Sequence, residues 1–386
     1  MSRVVRYLSF RRVPGQLPEL DGLRGLAIIL VVLRHGVQPY PLADHALFPI
    51  FGWDLGTFFT NGWIGVDLFF VLSGFLITHH ILRSREKHAG GWRWRPYLEK
   101  RALRIVPAYY AVLLLAANGW FSDYDISFEG IRGRIVYHLL FLQDYLPSDI
   151  VVTFWSLGVE EKFYLLAPFL TLALLKLPRL RQRVLGVVAL IILGVGVRTL
   201  TAFLRPEVAT YTDFFRVFRS PFHMTLDGLL IGVLIAVVYR ARAEKPDLVS
   251  SSAANITFWM GAATILFVST TSVMMKEITW WDKTLQPLVI ASGFGGMTFG
   301  LIFGGGPSWI FGSLGLFFFA RISYTLYLIH FPLIPHAISI ATQLAPEASV
   351  FLVFFIIYLS LAIPFAILLH YLVEKPFLLL KDRVRD

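Results

Sequence analysis

The chain has 386 residues, of which 56% are hydrophobic and 16% charged, and its mean hydropathy is +0.66. Soluble domains carry roughly 25% charged residues, so this composition excludes an ordinary soluble globular protein and indicates a polytopic membrane protein. The lack of any cysteine excludes disulfides, thiolate metal ligands and a cysteine nucleophile, and the net charge of +10 sits mostly in short loops between apolar runs rather than in a nucleic-acid-binding patch.

In chain order, a basic N-terminus (Arg3, Arg6, Arg11, Arg12) precedes the first apolar run, and no small-residue cleavage site follows it. The run therefore reads as a retained helix rather than a secretory signal. Runs long enough to span a bilayer, about 20 residues with allowance for tilt, lie at 22–40, 61–82, 102–121, 155–177, 184–204, 221–240, 255–275, 285–304, 310–335 and 347–373. Basic residues gather in alternate connections: the N-terminus, then Arg83 to Lys100, Lys176 to Arg183, Arg240 to Lys245, and the tail with Lys375, Lys381, Arg383 and Arg385. By the positive-inside rule this predicts an all-α protein of ten transmembrane helices with both termini cytoplasmic. The connection 205–220 departs from the rule, with Arg205, Arg216 and Arg219 on the predicted outer side; Lys276 and Lys283 lie on the same side. The outer segment 122–154, rich in Asp and Tyr, is expected to carry a small amphipathic helix. No repeat or low-complexity linker divides the chain, so residues 1–386 are expected to form a single transmembrane domain, with no appended periplasmic hydrolase-like domain.

Polar groups inside spans are costly unless they face a cavity or a partner, so they carry the information. In DGLRGLAIILVVLRHG (21–36), Arg24 and His35 are eleven residues apart. Both then point the same way, separated by about 16 Å of helix rise. Arg24 would lie at the cytoplasmic mouth and His35 in the outer half; the plainer reading is a snorkelling arginine and a histidine at a helix end. WSLGVEEKFYLLAP (155–168) begins its helix from the outer side. Its acids suit a helix N-terminus, but Glu160 and Tyr164 share a face at about the expected depth of His35, which makes a carboxylate-oriented imidazole an alternative. GVDLFFVLSGFLIT supplies Asp67 and Ser73, FHMTLDGLLIG supplies His223 and Asp227, and RISYTLYLIHFPL supplies Tyr327 and His330. Each alone suits an interhelical hydrogen bond; together they predict a shared polar cavity. The SGFGGMTFG stretch reads as close helix packing through Gly296 and Gly300. At the cytoplasmic rim, EKRALRIVPAYY brings Arg101 and Arg104, and VEKPF brings Glu374 and Lys375. The positive-inside rule accounts for such cations, which with Arg24 would also suit phosphates. No GxxxxGK[ST], GxSxG or HExxH motif and no soluble dinucleotide fingerprint occurs, so an ATPase, serine hydrolase or zinc protease finds no support and no metal is expected.

In order along the chain, LDGLRGLAIILVVLRHG with its Arg-x10-His pair, GVDLFFVLSGFLIT, RALRIVPAYY, WSLGVEEKFYLL, LDGLLIG, ISYTLYLIHFPL and VEKPF resemble the acyltransferase family 3 of integral membrane proteins, which includes O-antigen and exopolysaccharide acetylases. The resemblance implies transfer of an acyl group, commonly acetyl, from cytoplasmic acyl-CoA (acetyl-CoA) to a hydroxyl of a carbohydrate or lipid-linked saccharide at the outer face of the bacterial inner membrane. It implies that His35 and Glu160 are catalytic, His35 as general base and Glu160 as the acid that orients it. It further implies that Arg24, Arg101 and Arg104, with Lys375, hold the acyl-CoA. Asp67, Ser73, Tyr164, Asp227, Tyr327 and His330 are the candidates for the substrate cavity. Lys162 stands where the family often has Gln. Many relatives carry an appended periplasmic domain, so here either the membrane domain suffices alone or a separate periplasmic partner assists. The rival expectation is a proton-coupled transporter or exporter of a sugar-containing solute, with the same buried groups relaying protons.

Overall fold

A computed structural model describes residues 17–39, 49–50, 53–88, 91–124, 130–146, 149–242, 244–270, 277–344 and 350–384. Arg3, Arg6, Arg11, Arg12, Lys276 and Arg385, used above for the loop charges, lie outside the described residues. The main elements are α1 (Pro18–Val37), α2 (Gly65–Lys87), α3 (Trp94–Ala117), α4 (Ile131–Leu139), α5 (Trp155–Leu175) and α6 (Leu180–Leu204). They continue as α7 (Asp227–Ala241), α8 (Ser251–Val268), α9 (Gln286–Ile302), α10 (Leu314–Ile329), α11 (Ile334–Leu344) and α12 (Val350–Leu369). Short helical turns connect them, α12 runs on through a π turn (His370–Glu374) into Lys375–Lys381, and a two-residue antiparallel pair joins Pro49–Ile50 to Trp53–Asp54.

By length and composition, Gly56–Lys87, Leu180–Leu204, Ser251–Val268 and Val350–Lys381 qualify as membrane spans, and α10 with α11 makes a fifth if that bent pair counts as one. The chain is thus a helical, multi-pass membrane protein. Three other long helices are more polar, because α1 carries Asp21, Arg24 and Arg34, α3 carries Lys100, Arg101 and Arg104, and α5 carries Glu160, Glu161 and Lys162. They are the helices that build the site. The run 310–335 is not one straight helix: the chain turns by 86° between α10 and α11. Pro332 lies at that break, and its missing N–H cannot continue the ladder.

The bundle has an inner and an outer layer. α2 lies inside, packed against α1, α5, α7 and α9, and 72% of its apolar window is buried. For α6 that share is 17%, and for α8 and α12 it is 28% each, with side chains such as Ile192, Leu193, Phe203 and Trp259 turned outward. Glycine makes two of the inner contacts. A Cβ on Gly25 would stand 2.2 Å from the backbone oxygen of Leu316, so α1 can lie this close to α10 only without one. A Cβ on Gly300 would meet the Cβ of Phe258 at 2.5 Å, the close packing of α9 on α8 anticipated for this stretch.

The helix expected within 122–154 is α4. Its last carbonyls, which lack intrahelical donors, accept from α3: Tyr109 Oη donates to the oxygen of His138 at 3.0 Å and Tyr110 Oη to that of Leu139 at 2.9 Å. Arg134 pairs with Asp149 at 2.7 Å, and Tyr137 Oη donates to the same carboxylate at 2.6 Å. Burial, then the hydrogen bond to Asp149, raises the Tyr137 phenol above its ordinary value.

Candidate active site

Two cavities lie back to back inside the helices. The larger, about 570 Å³, is bounded by the connections 144–155 and 211–220 and by the end of α1; Arg34, His35, Trp63, Trp155, Tyr211 and Tyr327 are among its lining residues. His35 Nδ1 lies 3.0 Å from Nε2 of His330, which follows the last residue of α10. The His330 ring is fully buried, and its Nδ1 stands 3.0 Å and 2.9 Å from the carbonyl oxygens of Leu326 and Tyr327. Phe331 meets the His35 ring edge-on at 5.1 Å.

The smaller cavity, about 80 Å³, is lined by Arg24, Ser73, Arg104, Glu160 and Tyr164. Ser73 Oγ donates to Glu160 Oε1 at 2.6 Å, and Tyr164 Oη donates to Oε2 at 3.1 Å. The two bonds come from α2 and from one turn further along α5, so the carboxylate is fixed in orientation. Arg24 keeps a long contact of 3.9 Å with Asp21. Tyr327 and Val66 line both cavities and so form the wall between them. The Tyr327 hydroxyl donates to the carbonyl of Thr153 at 2.7 Å and accepts from Ser156 Oγ at 2.6 Å, which latches that wall.

The structure sorts the residues proposed from sequence into four groups. Arg24, Ser73, Arg104, Glu160, Tyr164 and Tyr327 share the small cavity, while His35, backed by His330, faces the large one. Glu160 does not touch His35: the imidazole's ring partner comes from α10, and the carboxylate is taken by Ser73 and Tyr164. Asp67 and Asp227 line neither cavity and are instead held in buried bidentate ion pairs. Asp67 receives both Nη atoms of Arg219 at 2.7 and 2.8 Å, and that guanidinium lies 4.9 Å and 5.2 Å from the Trp63 and Trp155 rings. Asp227 receives Arg198, one bond at 2.8 Å, and Arg198 also donates to the carbonyls of Thr284 and Met224, each at 3.0 Å. Arg101 lies over the rings of Tyr97 and Tyr164, at 5.8 and 5.5 Å. Lys375 lies over Tyr371 at 4.7 Å, on the α12 extension that packs along α3.

Sequence reasoning passed over Arg198, Ser156 and the cavity-lining role of Arg34. Arg198 had a signal, being a lone cation in the apolar run 184–204. Arg219 showed itself as an exception to the loop-charge rule, and its pairing with Asp67 explains why that cation sits there. Lys162 also finds a partner. Its ammonium lies 2.5 Å from Asp144 Oδ1 and 2.6 Å from the oxygen of Phe141, a residue held at φ 56°, and so anchors the loop at the large cavity.

The arrangement is that of a helical membrane protein that encloses two adjoining cavities, one with an imidazole and one with a carboxylate among arginines. The family profile described as an acyltransferase domain, Acyl_transf_3, matches residues 17–371, and the chain belongs to this family, acyltransferase family 3. A Staphylococcus aureus protein named "Putative O-acetyltransferase" is 24% identical over 397 residues, covering 96% of this chain and 58% of its own. The peptidoglycan O-acetyltransferase of Listeria monocytogenes is 26% identical over 359 residues, covering 86% of this chain and 51% of its own. This chain therefore spans little more than half the length of those relatives. No solved structure matches it.

Proposed function

We propose that the protein is a membrane-embedded O-acyltransferase that moves an acyl group, acetyl in the first instance, from cytoplasmic acyl-CoA to a hydroxyl of a carbohydrate acceptor on the far side of a bacterial inner membrane. The observation that carries this reading is the pair of adjoining cavities separated by the Tyr327 wall, one beside His35 and one beside Arg24 and Arg104. The reading takes the ten-span topology with cytoplasmic termini, which puts Arg24 and Arg104 toward the cytoplasm.

The residues of the small cavity fit the donor in part by size. At about 80 Å³, against roughly 30 Å³ for one water, it has room for a slender chain and not for a nucleotide. The phosphates would then stay at its mouth on Arg24, Arg104 and Arg101, whose planar guanidinium groups suit them. When bound, acyl-CoA supplies a thioester whose carbonyl carbon accepts a nucleophile. The large cavity suits the acceptor in size, and its lining mixes aromatic residues such as Tyr211 and Phe215 with the polar Gln38 and Asp149. A carbohydrate acceptor also agrees with the name of the Listeria relative, which states peptidoglycan.

His35 takes the proton of the acceptor hydroxyl as its oxygen attacks the thioester carbon, and returns it to the departing sulfur. Ester and free thiol are the products, and the imidazole is regenerated. Glu160, fixed by Ser73 and Tyr164, balances the arginines and orients the donor's end of the site.

The test uses the purified chain in nanodiscs with acetyl-CoA and saccharide acceptors, measuring thiol release and acetylated product. Release that depends on acceptor is expected, with loss of at least a hundredfold in His35→Ala, general base catalysis contributing about 10²–10⁴. A transporter would release no thiol. Near-normal transfer by a folded His35→Ala protein would end this reading.

A further inference from the structure

We propose that His330 is a positioning residue: it holds His35 as the Nδ1–H tautomer and so makes Nε2 the basic nitrogen offered to the large cavity. This rests on the acyltransferase reading for the word "basic"; the tautomer assignment itself rests on hydrogen bonding alone.

α10 stops at Ile329, and the last carbonyls of any helix lack backbone donors. Pro332 removes one more donor, since it has no N–H. The His330 ring reaches back to this helix end, its Nδ1 lying 2.9 Å from the Tyr327 oxygen and 3.0 Å from the Leu326 oxygen, which also accepts the backbone N–H of His330. A carbonyl oxygen only accepts, so Nδ1 of His330 carries a hydrogen. In the neutral ring the other nitrogen, Nε2, is then a lone pair.

That lone pair faces His35 Nδ1 at 3.0 Å. Two lone pairs would repel at such a separation, so His35 Nδ1 is the donor. With Nδ1 protonated, neutral His35 has its lone pair on Nε2. His35 lines the large cavity whereas His330 is fully buried and does not, so the nitrogen left over is the one able to meet an acceptor hydroxyl. The role resembles that of the carboxylate in a hydrolase triad, which fixes the tautomer of its histidine; here a neutral ring, itself fixed by a helix terminus, fixes the tautomer instead.

The experiment is ¹⁵N NMR of the full chain labelled at histidine, in nanodiscs, with the His35 signals assigned by their loss in His35→Gln. The expected spectrum shows His35 with a protonated Nδ1 and an unprotonated Nε2. His330→Phe should move His35 toward the Nε2–H form, with kcat for acyl transfer at least tenfold lower and KM for acyl-CoA unchanged. His330→Gln, whose side-chain oxygen accepts a hydrogen bond near the same place, should restore the Nδ1–H form and part of kcat. An Nε2–H tautomer of His35 in the unmodified protein would overturn the proposal. So would an unchanged tautomer in His330→Phe, or a Gln variant no better than the Phe variant. If His330→Phe does not fold, the unmodified and Gln spectra still decide. A spectrum as expected without any acyl transfer would leave the tautomer assignment standing and remove the acyltransferase reading.

Discussion

Replacing Asp227 by alanine leaves the guanidinium of Arg198 in the bundle with two carbonyls and no anion. The side chains are 1% and 5% exposed, so water cannot stand in for the lost carboxylate. Removing one partner of a buried pair costs about 3–5 kcal/mol, because a charge remains without compensation. At about 1.4 kcal/mol per factor of ten, that is roughly two to nearly four orders of magnitude in the folding equilibrium. Removing both charges, as in Arg198→Met with Asp227→Leu, should return most of the stability, since apolar replacements of buried pairs are often neutral. The assay is equilibrium unfolding of purified protein in mixed micelles, followed by tryptophan fluorescence, for Asp227→Ala and the double variant. Acyl transfer is measured on the same samples at a temperature where each is folded. If Asp227→Ala unfolds within about 1 kcal/mol of the unmodified protein while losing transfer, the carboxylate belongs to the chemistry and not to the fold.

Ser73→Ala removes the 2.6 Å bond to Glu160 and should lower kcat/KM by one to two orders of magnitude with little change in fold, hydrogen bonds to charged groups contributing about 1.5–3 kcal/mol. Steady-state kinetics with acyl-CoA would check this, and unaltered kinetics would remove Glu160 from the site. Gly25→Ala puts a methyl 2.2 Å from the Leu316 oxygen, so α1 and α10 must part. A thermal unfolding scan should show destabilisation of about 1–3 kcal/mol, together with weaker transfer because the same two helices carry His35 and His330. Lys162→Ala strands the fully buried Asp144 carboxylate, whereas Lys162→Gln keeps donors toward it and toward the Phe141 oxygen. The Ala variant should therefore be clearly the less stable in the same scan, and equal stabilities would deny the anchoring role.

The apolar runs were legible because hydropathy is a local property, and eleven residues of spacing on α1 were enough to place Arg24 and His35 on one face. What escaped was pairing at long range. The contact between His35 and His330 joins positions 295 residues apart and leaves no trace in either local pattern. Glu160 was set beside His35 because their expected depths agreed, but depth does not say which way a side chain turns about its helix, and α5 turns Glu160 toward Ser73 on α2. Asp67 and Asp227 looked like cavity acids for the same reason; each faces an arginine across a helix contact. The lone Arg198 in α6 was visible in the sequence, and the cost of burying it unpaired would have pointed to a carboxylate partner. Pro332 was equally visible within a run treated as one span, although a proline there predicts the break.

The unequal burial of the helices has a consequence for how the protein meets its bilayer. α6, α8 and α12 bury little of themselves, whereas α2 is mostly buried and the charged α1 and α5 pack against it. Mismatch between hydrocarbon thickness and helix length is relieved by tilting, at fractions of a kcal/mol per Å. Tilt of α6 and α8 is limited by their ties to the interior, since Arg198 fixes α6 to Asp227 of α7 and Gly300 of α9 packs closely on Phe258 of α8. The outward side chains of these helices, such as Ile192, Leu193, Phe203 and Trp259, can be exchanged for other apolar residues to suit a thicker or thinner bilayer without touching either cavity.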